Sequence, residues 1–85
     1  MKQITTKSGF EITVDENAAD DFELLEMLSA IDKQNEYTLI RPALSRLIGA
    51  DGFERLTEHV KTDGRVPITA LLTEMGEIVR GFEKK

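Results

Sequence analysis

The most constraining feature of this sequence is the regular spacing of large apolar residues near its C-terminal end. They fall at offsets 0, 3, 4, 7, 10, 11 and 14 from the first, which is the 3.6-residue period of an amphipathic α-helix. Pro67 precedes them and suits the first turn of a helix. We predict a helix over residues 67–82 with one broad apolar side. Its apolar residues are Ile68, Leu71, Leu72, Met75, Ile78, Val79 and Phe82.

Three other helices are predicted upstream. Pro42 suits the first turn of one of them, and Gly49 marks its end. Asp51, followed by Glu54 three residues later, is typical of the cap of another. The predicted helices span residues 17–33, 41–49 and 52–62. In the first of these, the apolar residues at helical spacing are Phe22, Leu24, Leu25, Leu28 and Ile31.

The N-terminal part of the chain reads as a β-hairpin over residues 2–14. Apolar or β-branched residues alternate with polar ones on both sides of a Lys-Ser-Gly turn at residues 7–9. Two strands alone are marginal in water, so the hairpin needs helices to pack against. The fold class predicted is α+β, mainly α, with the hairpin packed on a bundle of about four helices. At 85 residues, we expect residues 1–85 to form a single domain.

The net charge of −5 is unevenly placed along the chain. Residues 15–36 carry eight acidic residues and the single base Lys33, a net charge of −7, while the remainder has ten bases and eight acids, or +2. A polyphosphate is repelled by the first region and barely attracted by the second. We therefore expect no nucleic-acid partner.

Thiol chemistry, membrane insertion and catalysis are also disfavoured, because the sequence lacks the residues or segments that they need. The chain has no cysteine, so thiol chemistry and disulfides are ruled out, and a reducing cytoplasm is the expected location. No stretch resembles a signal peptide, and the apolar runs are too short to span a bilayer, so no membrane partner is expected. His59 is the only histidine, and we interpret it as an ordinary, partly exposed side chain. We expect neither an enzyme nor a cofactor or metal site.

The remaining candidate for function is apolar helix surface. A small domain cannot easily bury every apolar residue of its helices, and an uncovered patch binds protein. The predicted protein-binding residues are Leu72, Met75, Val79 and Phe82, because methionine and the end of a helix suit adaptable contacts. Gly76 and Gly81 each weaken the same helix, a cost that we expect tertiary packing to offset. Close approach of a neighbouring helix at these glycines is the less favoured alternative.

Five sequence segments, taken in order, carry a resemblance to a known family. They are SGFE at residues 8–11, DDFELL at 20–25, RPALSRLIG at 41–49, FERLTEHV at 53–60 and DGRVPI at 63–68. In this order, and followed by a last amphipathic helix, they resemble the small tail assembly chaperones of long-tailed phages and prophages of Gram-positive bacteria. The resemblance runs from Gly9 to about Phe82.

The resemblance implies a function in phage tail assembly. Such chaperones coat the long, hydrophobic tape measure protein until tube subunits polymerise around it, and they are absent from the finished virion. The implied partner is the tape measure protein, with the tail tube protein and a second copy of the chain as further candidates. Many members also have a longer form made by ribosomal frameshifting, for which the codons of Lys84 and Lys85 are a candidate slippery site.

The sequence leaves one alternative open. A small acidic regulatory or inhibitory protein that mimics nucleic acid would make its contact through residues 15–36. Charge reversal at Asp20, Asp21 and Glu23 would abolish such a mimic and leave a chaperone largely functional.

Overall fold

The computed structural model describes residues 1–83 and has a short hairpin followed by helices. Two strands and three helices make up this part of the chain, with a single 3₁₀ turn at Tyr37–Leu39. The predicted α+β, mainly α class is confirmed, but the count of about four helices is one too many for these residues. The elements are β1 (Lys2–Thr5), β2 (Glu11–Val14), α1 (Phe22–Gln34), α2 (Ile40–Val60) and α3 (Ile68–Glu83).

The difference in helix count lies in α2, which merges the helices predicted over residues 41–49 and 52–62. Gly49 does interrupt the helix, with φ 82° and ψ 164°, a backbone conformation essentially restricted to glycine. Helical structure resumes immediately after it, so Gly49 produces a kink rather than a loop.

The start of α1 also differs from the prediction of residue 17. Residues 16–19 form turns, and Asp15 Oδ1 accepts a hydrogen bond from the backbone N–H of Asn17. The helix begins only after Asp21, whose carboxylate accepts from the backbone N–H groups of Glu23 and Leu24. Short aspartate side chains that bond the nearby backbone hold the preceding segment out of the helix.

The hairpin pairs β1 with β2 in an antiparallel register that sets Ile4 opposite Ile12. Its turn places Gly9 at φ 93°, which requires glycine. The alternating residues predicted to share a face are buried, and they are Ile4, Thr6, Phe10, Ile12 and Val14. The two-residue period of the sequence therefore identified the inner face of the hairpin.

The hairpin lies along α3 and is held there at both ends. The backbone N–H of Lys7, in the turn, donates to Glu77 Oε1 over 2.6 Å. At the other end Ile4 packs against Gly81, where a Cβ would sit 2.8 Å from Ile4 Cγ2. Gly81 thus permits close approach of a strand, whereas the alternative raised from the sequence was a neighbouring helix.

The buried apolar residues of the hairpin and the three helices form one cluster. Its most deeply buried large side chains are Leu24, Leu44, Leu56 and Ile78. No helix within residues 1–83 is long and apolar enough to cross a membrane. Lys84 and Lys85, on which the frameshifting hypothesis rests, lie outside the described residues.

Candidate functional site

An apolar groove of about 510 Å³ runs between α1 and α3. Its apolar lining comes from both helices and from the 3₁₀ turn, while Asp32, Arg80 and Glu83 stand at its polar margin. A groove with apolar walls and charged edges suits an amphipathic helix, which buries one side and leaves the other in water. The apolar lining residues are Leu28, Ile31, Tyr37, Leu72, Met75 and Val79.

Three of the four predicted binding residues are brought together in this groove. Leu72 and Val79 are half-buried, whereas Met75 is only 7% exposed and belongs to the core. Phe82 is outside the lining and packs, half-buried, against the core cluster. The binding role of these four residues stays a prediction, and Phe82 does not line the groove although it is one turn from Val79.

The opposite wall of the groove was not anticipated from the sequence. Leu28 and Ile31 come from α1, whose helical spacing is visible in the sequence, but their position across the groove from α3 is set by the tertiary structure. Tyr37 is 40% exposed, and its hydroxyl donates to Asn35 Oδ1 at 3.0 Å. Asn35 ends α1 in the left-handed conformation, with φ 56°, and so turns the chain toward Tyr37.

Gly76 leaves the groove open on the α3 side. A Cβ at this position would meet only the Arg80 Nη1 atom, at 3.8 Å, which is the far end of a flexible side chain. Among residues 1–83, no neighbouring helix or strand comes close to Gly76. Because Gly76 has no side chain, it leaves free volume within the groove.

The acidic segment is almost entirely solvated. Of the eight carboxylates in residues 15–36, seven are exposed and only Asp21 is half-buried. Arg46 from α2 donates to Asp21 Oδ2 at 2.7 Å and to Glu23 Oε1 at 3.0 Å. Because Asp21 is both the cap of α1 and an ion-pair partner, the charge reversal proposed from sequence at Asp21 would also disturb the fold.

The hydrogen bond from Arg46 and those from the backbone of α1 lower the pKa of Asp21 below its usual value of 3.8. A depressed pKa in the folded state stabilises the fold fully above the unfolded pKa, and this contribution is lost as pH falls through the lowered pKa. Asparagine can still cap the helix but forms no ion pair. We expect Asp21→Asn to lower the urea midpoint at neutral pH.

Comparing the urea midpoints of the wild type and Asp21→Asn at acidic pH tests whether the charge of Asp21 causes the difference. At a pH below the lowered pKa of Asp21, the carboxyl of the folded wild type is also neutral, so the two urea midpoints are expected to converge. A difference of equal size at neutral and acidic pH would show that Arg46 does not stabilise the cap through charge.

A second polar cluster lies at the tip of the hairpin. Glu74, only 4% exposed, accepts hydrogen bonds from Thr6 Oγ1 at 2.7 Å and from Ser8 Oγ at 2.9 Å. Ser8 Oγ also lies 2.9 Å from His59 Nε2. The carboxylate contacts the serine rather than the histidine, so the three groups do not have the order of a hydrolase triad, in which histidine lies between them. The cluster fastens the hairpin tip to α2 and α3.

His59 is exposed, and its ring lies 5.5 Å from that of Phe10. Within residues 1–83, histidine and carboxylate side chains form no group of three or more that could hold a metal ion. Comparison of the chain with protein-family models, with curated proteins and with solved structures finds no match. The geometry of the groove and the resemblance of the five sequence segments are therefore the basis for a functional proposal.

Proposed function

We propose that this protein is a tail assembly chaperone of a long-tailed phage or prophage. In this proposal it binds the tape measure protein in the host cytoplasm and keeps it soluble until tail tube subunits assemble around it. The protein then leaves and is absent from the virion. It performs no catalytic step and needs no cofactor.

The observation that carries the proposal is the apolar groove between α1 and α3. A tape measure protein is long and hydrophobic, and a helical segment of it would lay its apolar side on Leu72 and Val79, which are half-buried. Met75 lies at the floor and belongs to the core, so Leu72 and Val79 offer most of the α3 contact surface.

The charge distribution supports the same proposal. The exposed carboxylates of α1 lie on the helix that forms one wall of the groove. A complex that covers the groove would keep this acidic surface in water. A high density of one charge keeps chains apart in solution and opposes aggregation of a bound hydrophobic protein.

The sharpest test fills the groove without weakening the fold. Gly76→Leu places a side chain in free volume and replaces glycine inside a helix, which by itself favours the folded state by about 1 kcal/mol. We expect a variant at least as stable as the wild type that no longer keeps the tape measure protein soluble. The measurement is the soluble fraction of tape measure protein co-expressed with each variant, together with co-purification.

Thr73→Leu is the matched control. Thr73 is exposed on the same helix but does not line the groove, so the variant adds the same side chain elsewhere on α3. It is expected to behave as the wild type. If Gly76→Leu and the wild type solubilise the tape measure protein equally, the groove is not its binding site. If the wild type itself has no effect on solubility, the chaperone function is wrong.

A further inference from the structure

A second apolar surface lies on α1, outside the groove. Phe22 is 71% exposed and Leu25 is 60% exposed. They are three residues apart, so they are neighbours on one side of the helix. Both belong to the apolar set predicted for this helix, yet the structure covers neither, whereas Leu24 and Ile31 of the same helix are buried. The apolar stripe of α1 is wider than its neighbours can cover.

The exposed pair stands beside a wide depression of about 790 Å³. Phe22 lines it and Leu25 does not. Asp15 and Asp20 contribute acidic groups, Arg46 contributes a basic one, and the apolar residues Val14 and Leu47 beneath them are buried. An apolar anchor next to a recess bordered by carboxylates has the layout of a protein-binding surface, with its apolar centre and polar rim.

The charge around this surface restricts its occupant. A second copy of the chain joined by a two-fold axis would bring the same acidic segment, with a net charge of −7 over residues 15–36, against itself. Like charges facing each other across an interface are costly. Nucleic acids and anionic lipid surfaces are repelled for the same reason. The complementary occupant is a cationic polypeptide.

We propose that the outer face of α1, anchored by Phe22 and Leu25, binds a basic amphipathic helix of a partner protein. Apolar residues of that helix at i and i+3 or i+4 cover the two anchors. Its lysine and arginine residues face exposed carboxylates, Glu26 on α1 and Asp20 in the segment just before it. Neither anchor lines the groove, but Leu25 is three residues from Leu28, which does, so the two surfaces are adjacent on α1.

A labelled model peptide of about 18 residues, built of leucine and lysine at amphipathic helical spacing, tests the proposal by fluorescence anisotropy. The wild type is expected to bind it and to lose affinity as sodium chloride is raised. A matched peptide with glutamate in place of every lysine is expected not to bind. Phe22→Ser/Leu25→Ser is expected to weaken binding of the basic peptide about tenfold or more, with an unchanged circular dichroism spectrum because both side chains are exposed.

Three further variants test whether the peptide binds at the outer face of α1 and not at another apolar residue or in the groove. Ile68→Ser removes an aliphatic side chain that is 51% exposed on α3 and is expected to leave the affinity unchanged. Asp20→Lys/Glu26→Lys keeps the anchors but reverses the charge, and it is expected to abolish binding. Gly76→Leu is expected to bind the basic peptide as the wild type does.

The proposal is overturned if the Phe22→Ser/Leu25→Ser variant binds as tightly as the wild type. In that case, loss of binding only in Asp20→Lys/Glu26→Lys identifies a purely electrostatic surface, as a nucleic-acid mimic requires. Equal binding of the acidic peptide also overturns it, and so does loss of binding in Gly76→Leu, which would place the peptide in the groove.

Discussion

Replacement of Glu74 by alanine is expected to lower the free energy of unfolding by about 1–3 kcal/mol, the usual cost of leaving a buried polar group without its partner. Thr6 is itself buried, at 4% exposure, and its hydroxyl donates to the Glu74 carboxylate. Ser8 loses its acceptor as well. The hairpin tip is therefore expected to detach from α3. Urea unfolding measures the loss, and amide hydrogen exchange in the hairpin locates it.

Two controls separate the hydrogen bonds from simple loss of packing. Glu74→Gln keeps the shape and one acceptor oxygen, so its cost is expected to be clearly smaller than that of alanine. Combining Thr6→Val with Glu74→Leu replaces both partners by apolar groups, and this pair is expected to recover much of the stability, because no buried polar group is then left unpaired. Equal destabilisation by glutamine and alanine would contradict the assigned role of the carboxylate.

Replacement of Gly81 by alanine is expected to cost about 1–3 kcal/mol, the usual range for overpacking a buried contact. The new Cβ would lie 2.8 Å from Ile4 Cγ2 and 3.0 Å from Ile4 Cγ1. Ile4 is 4% exposed and has little room to move. Helix propensity alone would favour alanine, so a measured loss of stability reports the steric contact.

Gly76→Ala is the matched control for this prediction. It makes the same change on the same helix in open space, and it is expected to raise the free energy of unfolding by about 0.5–1 kcal/mol. A double-mutant cycle between Gly81→Ala and Ile4→Ala should show non-additivity, because removal of the isoleucine also removes the clash. Stabilisation by both glycine replacements would contradict the close packing of β1 on α3.

Local features of the fold were predictable because they follow from local rules. The alternation in the hairpin predicted which residues face inward, and the spacing at the C-terminal end predicted α3 within a residue of its observed start at Ile68. Gly49 was recognised as a break because few other residues adopt its conformation. The start of α1 was predicted at residue 17 but lies at Phe22, because the residue that caps the helix is Asp21.

The candidate site was only partly predictable. The spacing of apolar residues on α3 predicted Leu72, Met75 and Val79 as binding residues. Nothing in the sequence indicated that α1 would form the other wall of the groove. The burial of Glu74 was also missed, since a helical glutamate is normally interpreted as facing solvent. Its burial depends on hydroxyl groups of the hairpin tip, 66 and 68 residues away in sequence.

The sequence by itself determined which segments are helix or strand and which residues share a face, because periodicity and backbone preference act between near neighbours. The tertiary structure alone decided which of those faces are covered. Phe22 and Leu25 remain exposed while Leu24 is buried, although all three belong to the same predicted apolar set. Coverage depends on the positions of neighbouring elements, and packing between distant segments sets those positions. The groove and the outer face of α1 therefore became visible only in three dimensions.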